Sequence, residues 1–331
     1  MEKVFHFQGV QVNFVEPSVS LIHETDPFKR IELAGRTCYK SEDKITSGSA
    51  IKFVNSLMRN RHYAMIEHAS LVFLLHCRYG FEMFLPEYVE YLKKDDYIRV
   101  THDEEYTRIL VSANVRAIIQ RNVYDPIYVA LVSRYPEFAV STNHTEFLDR
   151  ILDNVNAEIV DIRQMKDITE DEFLNHYVFT ARFVTDRGVS HEMVRHRPFS
   201  FAQESTRYCN YSKDKFGGHL TFCRPTTYDS WTESQRVAFE NTLIGLDDIY
   251  HNLTAGEDGL TPQLARAILP NCIKTEIVVS GPAKEWKHFY DLRSYGVTGS
   301  PHPDIKYVAD TAKKKMNKYL YSLKFVGRYH F

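Results

Sequence analysis

Apolar and polar positions alternate loosely over the first fifteen residues, with Val4, His6, Val10, Val12 and Phe14 spaced as in one or two short strands. The period then lengthens. After Pro27, the residues Phe28, Ile31 and Ala34/Gly35 recur on one helical face. Ser49 is an N-cap candidate for a second helix carrying Ile51, Val54, Leu57 and Met58. Leu71–Leu75 is an unbroken apolar run and predicts a strand. The block 78–176 predicts a helix through Leu92, strands at 97–100 and 107–111, a helix near 114–120 and another over 146–155. That block is too long and too apolar for a linker, so it reads as a folded excursion within a single domain spanning 1–331.

The second half repeats the mixture. Val178–Val184 is β-rich, Asp186-Arg187-Gly188 predicts a turn, and Ser190 is a candidate cap for a helix leading to Arg195. A short strand is expected at 220–223 and a long helix over 232–253. Thr261-Pro262 opens a helix running to Leu269. A strand at 275–280, a helix over 284–292 ending at Arg293, and a basic amphipathic helix over 305–323 complete the chain. Thr107–Ser112 before Ala113-Asn114 echoes Thr275–Ser280 before Gly281-Pro282, each a strand turning into a helix.

Composition narrows the class. The 331 residues are 44% hydrophobic and 13% aromatic, enough for a sizeable core. A net charge of -2 gives no global pull toward nucleic acid or membrane, and neither partner is expected, so any anion recognition must be local. No apolar run approaches the length of a membrane span, and the first residues lack a signal-peptide layout. Five scattered cysteines with no Cys-x-x-Cys fit neither a disulfide framework nor a zinc ribbon, and a cytoplasmic setting is expected. His191 and His196 stand five apart, one too many for the two ligands of a zinc-hydrolase helix, so no metal is expected.

Local anion chemistry concentrates in Arg195-His196-Arg197-Pro198-Phe199-Ser200-Phe201-Ala202-Gln203-Glu204-Ser205-Thr206-Arg207. Pro198 disfavours helix at Arg197, which puts the basic triplet at a helix-to-loop junction with its two arginines on different sides. Arg-His-Arg, seven residues, Ser, then Arg two further on resembles the signature of the flavin-dependent thymidylate synthases. Three more segments are similar to that family's in the same order: His62 to His68 (His-x-x-x-x-Glu-His), Ala265 to Pro270, and Phe289 to Arg293. Arg266 and Arg293 also keep the family's 27-residue separation. Residues 78–176 have no counterpart in compact members and form an insertion of about a hundred residues.

The resemblance implies an α+β fold, a central mostly antiparallel sheet flanked by helices, assembled as a homotetramer with shared active sites. It implies a methyltransferase making dTMP from dUMP, with 5,10-methylene-tetrahydrofolate as carbon donor and FADH2, regenerated by NADPH, as hydride donor. Ser205, Thr206 (through its backbone), Arg207 and Arg266 would then hold the dUMP phosphate, with Glu192, Arg195 and Gln203 also at the nucleotide. Arg293 would face the uracil ring. FAD would lie against His62, Arg195, His196, Arg197, Gln203 and His288. The catalytic assignments fall on Arg293, as an electrostatic stabiliser, and on Ser205, which has no histidine or aspartate relay and so binds rather than attacks. No protein nucleophile is needed, because the cofactors carry the chemistry.

Departures cluster on the flavin and folate side. Ala64 and Met65 replace a hydroxyl residue and a proline, Glu192 a glutamine, Pro282 and His288 asparagines, and Gly299–Pro303 an altered stretch before the last helix. Two rivals therefore stand beside the first reading: a deoxypyrimidine-monophosphate hydroxymethylase on the same scaffold, and a non-catalytic nucleotide- or RNA-binding paralogue.

Overall fold

The structure is a computed structural model. It describes residues 3–7, 10–121, 123–140, 154–323 and 331, and for residues up to 11 the backbone only. Its strands in chain order are β1 (Lys3–Phe7), β2 (Val10–Val15), β3 (Ser18–Leu21) and β4 (Ser70–Cys77). There follow β5 (Ile98–His102), β6 (Ile109–Asn114), β7 (Val155–Val160) and β8 (Val178–Asp186). The last are β9 (Ser200–Gln203), β10 (Thr221–Cys223) and β11 (Lys274–Pro282). They form three sheets, ordered β1-β2-β10, β3-β8-β11-β9 and β5-β6-β4-β7. Among the described residues every named pair is antiparallel except β2–β10. The α+β class with helix-flanked, mostly antiparallel strands is thus the observed one, with the strands divided among three sheets.

β11 is the spine. It pairs with β8 from Lys274↔Asp186 to Pro282↔Val178 and with β9 from Ile277↔Gln203 to Ser280↔Ser200. Every residue from Thr275 to Pro282 is buried, polar Thr275, Glu276 and Ser280 included. Ile277 and Val279 face one core with Trp286, Phe289 and Ile305, while Val278 faces Ala34, Cys38 and Ala202 on the other side. The helix Pro27–Tyr39 therefore covers one face, and the helices Ala283–Tyr290 and Pro303–Ser322 cover the other.

β5, β6 and β7 complete the sheet of β4, and one core mixes Phe28, Val54 and Phe73 with Tyr88, Val111 and Phe138. The expected echo has a structural counterpart. β6 runs into a helix at Val115, capped by Asn114, whose side chain accepts from Ala117 N at 2.9 Å; β11 runs into Ala283–Tyr290, and each is an interior strand.

Several local expectations change. Asp186-Arg187-Gly188 is not a turn: Asp186 ends β8 and caps the helix Arg187–Met193, accepting from Val189 N at 2.7 Å. That removes Ser190 as the cap, and its hydroxyl instead donates to Arg187 O. Gly48, not Ser49, is the N-cap of Ser49–Arg59, because the Ser49 hydroxyl is committed to Glu32 at 2.8 Å. The stretch after Pro262 is one short helix, Pro262–Ala265, passing into a 3-10 turn. The helix expected over 146–155 lies outside the described residues up to 153, and Val155 begins β7. β3, β7, β9 and the helices Pro126–Arg134 and Glu170–His176 had no sequence expectation; each is short and flanked by loops, so periodicity has little length to show.

Candidate active site

The helix Arg187–Met193 buries Val189 and Met193 in the core and ends at Val194, before Pro198, so the basic triplet lies in the loop beyond. Arg195 and Arg197 are exposed, whereas His196 turns inward and is buried. Its ring meets Phe289 edge-on at 5.0 Å and His288 at 6.1 Å. Phe199 then packs against Trp286 at 4.7 Å and lies directly on Gly281 of β11. A Cβ at Gly281 would stand 2.2 Å from the Phe199 ring, so only glycine lets the signature dock there.

Arg293 arrives from the other side. The helix Ala283–Tyr290 passes into a π-turn, Asp291–Tyr295, closed by Gly296 at φ 70°. This corrects the expected plain helix end and matters for geometry, since such turns re-aim a side chain at a functional site. Arg293 Nη1 donates to Glu192 Oε2 at 2.6 Å, Nη2 to the Glu192 carbonyl at 3.3 Å, and Nε to His196 Nε2 at 3.2 Å. An imidazole that accepts there is neutral. Burial, then Arg293, His288 and Arg195, push the His196 pKa down to about 4, in agreement. Glu192, Arg195, His196, Arg197, His288 and Arg293 line one cleft of about 820 Å³.

The remaining signature residues form a second group. Ser205 N donates to Cys38 O at 2.9 Å, and Ser205 O accepts from Tyr208 N and Cys209 N, closing a tight turn around buried Thr206. Arg207 Nε donates to Gln263 Oε1 at 3.0 Å, which ties the signature to the short helix just before exposed Arg266. Gln203 stands between the groups, its Nε2 donating to Ser190 Oγ at 2.8 Å and Thr275 Oγ1 at 3.2 Å. Ser205, Thr206, Arg207 and Arg266 do not line the cleft around Arg293. His62 is exposed at the start of the turn Tyr63–His68 and does not line it either.

A buried ion network that the sequence reading missed braces the signature. Glu204 accepts from Lys274 Nζ at 2.9 Å and Tyr211 Oη at 3.0 Å. Glu276 accepts from Lys274 at 2.5 Å, from Arg182 Nε at 2.6 Å and from Lys40. Burial pushes the Glu276 carboxyl up, but Lys274 and Lys40 outweigh it and hold it down at about 2. Burial disfavours charge on Lys274, and Glu204 with Glu276 raises it instead. The available signal was Lys274-Thr275-Glu276, two charges on one face of an otherwise apolar strand.

His219, Asp247 and His251 offer ligand atoms within 4.8 Å of one another. Both His251 nitrogens are engaged with carbonyl oxygens, Asp247 O at 2.9 Å and Gly218 O at 2.7 Å, so both carry protons and no lone pair is left for a cation. Asp247 also accepts from His219 Nδ1 and Leu220 N, each at 2.7 Å. The cluster fastens a loop to the helix Glu233–Thr254.

Fold and site together define an α+β protein with guanidinium groups clustered in an open cleft. The model of the family described as thymidylate synthase complementing protein matches residues 20–81 and 136–320. The chain belongs to that family. The unmatched internal stretch, 82–135, is narrower than the 78–176 block marked out in the sequence. A flavin-dependent thymidylate synthase of Geobacter sulfurreducens is 29% identical over 180 residues, 54% of this chain and 72% of that one. One from Corynebacterium glutamicum is 32% identical over 135 residues, 36% of this chain and about half (48%) of that one. Among solved structures, a UMP/dUMP methylase, PolB from Streptomyces cacaoi, bound with 5-Br dUMP, is 14% identical with a TM-score of 0.38, covering 92% of this chain and 90% of that one. No helix among the described residues is long and apolar enough to cross a membrane.

Proposed function

We propose that the protein is a flavin-dependent thymidylate synthase. It would convert dUMP to dTMP with 5,10-methylene-tetrahydrofolate as carbon donor and FADH2, regenerated by NADPH, as reductant. The observation that carries this reading is the lodging of Arg293, aimed by a π-turn onto Glu192 and His196 in a cleft shared with Arg195 and Arg197. Family membership supports it.

The residues of the cleft fit a flavin dinucleotide. Arg195 and Arg197 are exposed with no carboxylate within 4 Å among the described residues, which suits a diphosphate. The His196 and His288 rings beside them suit a flat isoalloxazine. When bound, the flavin supplies the hydride that reduces the pyrimidine's new carbon substituent. The chain's own part is binding and electrostatics. Ser205, the Thr206 amide, Arg207 and Arg266 grip the nucleotide phosphate. Arg293 exchanges Glu192 for the uracil edge and stabilises the N3-deprotonated ring. Neutral His196 accepts from Arg293 and fixes its plane. Because grip and cleft do not meet within one chain, one nucleotide would be completed by residues of different copies, in line with a homotetramer; exposed His62 would reach the flavin in the same way.

The test is anaerobic reduction of the bound flavin, addition of dUMP and methylene-tetrahydrofolate, and mass analysis of the nucleotide. Flavin reoxidation with formation of thymidylate is expected. A hydroxymethylated product would move the protein to the rival enzyme, and a colourless protein that takes up neither FAD nor dUMP would refute both.

A further inference from the structure

A second cavity, of about 860 Å³, opens between β3–β8 and β4–β7 and shares no lining residue with the cleft around Arg293. Arg30 lines it. Its Nε and Nη2 both donate to a single carbonyl, Glu24 O, at 2.8 and 2.5 Å, and no described carboxylate lies within 4 Å of its guanidinium. Nη1 is left without a partner among the described residues. Burial pushes the Arg30 pKa down, with Arg163 adding to it, and Tyr177, Glu24 and Tyr319 only partly offset the loss.

Glu24 turns its Oε1 to the Thr25 and Asp26 amides, and the remaining described charges form no ion pair with Arg30 either. Arg163 occupies Asp161 with two bonds, at 2.8 and 2.5 Å, so that pair is closed. Glu158 faces His76 at 3.4 Å. His176 is held neutral, burial and then Arg99 pushing it down to about 3. Arg134 is exposed and adds a second open guanidinium, 6.0 Å from the Tyr135 ring. One wall is aromatic: Tyr177 and Tyr319 both line it, and the His23 ring lies 4.1 Å from the Tyr319 ring. Cations taken out of water call for an anion, and a guanidinium with a free edge meets an oxyanion with two parallel bonds.

We propose that this cavity is a second ligand site, taking a small flat molecule that bears a phosphate or carboxylate, with the oxyanion on Arg30 and the ring along the Tyr177–Tyr319 wall. The test is calorimetric titration of the full chain carrying Arg207→Ala, which weakens the phosphate grip of the other site, with inorganic phosphate and separately with benzoate. Saturable uptake is expected to persist in that background and to weaken about tenfold or more when Arg30→Leu is added. Val129→Trp, on the cavity-lining helix Pro126–Arg134, narrows the space while leaving the Arg30 side chain in place and is expected to weaken uptake as well. It keeps the test decisive should Arg30→Leu not fold. Uptake of phosphate alone assigns a phosphate ligand, and uptake of benzoate alone a carboxylate. No saturable uptake of either probe, or uptake indifferent to both changes, overturns the proposal.

Discussion

Two charged regions lie within a few residues of each other on the signature and behave in opposite ways. Around Glu204 and Glu276 the cations Lys274, Lys40 and Arg182 are matched to carboxylates and enclosed. Around Arg195, Arg197 and Arg293 three guanidinium groups face a cleft holding two partnered carboxylates, Glu192 on Arg293 and Glu285 on Arg99. The difference separates charges that hold the chain from charges that the proposed function assigns to ligands. A matched, buried set has no room for another anion. An open, cationic set favours one.

The largest effect is expected from Lys274→Met, which leaves Glu204 and Glu276 buried with fewer partners. Loss of one member of such a pair costs about 3–5 kcal/mol, read as a shift in the urea unfolding midpoint. An unchanged midpoint would break the comparison by showing the network to be dispensable. On the open side, Arg293→Ala should leave folding intact and lower the turnover number about 100- to 1000-fold at saturating dUMP. Full turnover at saturation would remove its role. Arg207→Ala should weaken dUMP binding roughly 10- to 100-fold in calorimetry with little change in flavin content.

The enclosed side extends to two histidines and gives a pH signature. Burial holds the His68 pKa down at about 4 and, with Arg99, that of His176 at about 3, against 6.5 for a free imidazole. Folded, both are neutral; unfolded, both bind protons below 6.5. Stability is therefore expected to fall as pH drops from 6.5 toward 4, by about 1.4 kcal/mol per pH unit for each group. Denaturant titrations at pH 7 and 5 measure this, and His176→Gln should flatten the slope. The smallest effect is Glu192→Gln: relieved of its carboxylate, Arg293 should bind dUMP a few-fold more tightly, about 1 kcal/mol or less. Weaker binding would place Glu192 on the nucleotide rather than in competition with it.

The sequence made the long helices and the strands β8 and β11 readable, though not their pairing, because their patterns run over enough residues to register. It made the candidate residues legible through spacing, since Arg195, Arg207, Arg266 and Arg293 stand at intervals that resemble the family's, but not that Arg207 and Arg266 lie outside the cleft of Arg293. What stayed hidden is three-dimensional. β9 spans four residues inside a stretch whose charges drew attention away from its alternating Ser200 and Ala202. The Lys274–Glu204 pair joins residues 70 apart, and no local pattern announces such a partner. The path of Arg293 depends on a helix that widens after Tyr290, which the composition of Asp291–Tyr295 does not signal. Asp186 looked like a turn residue because aspartate serves turns and caps alike.

The widened turn has a practical corollary. A helix carrying one surplus residue can surrender it: removing a single residue between Asp291 and Arg293 would let Ala283–Tyr290 continue as ordinary helix. The guanidinium would then leave from an ordinary turn instead of the widened one and lose its aim at Glu192 and His196, while upstream Trp286 and Phe289 kept their berths. A one-codon deletion would thus yield a folded but silent protein, the cleanest blank against which to measure everything the cleft does.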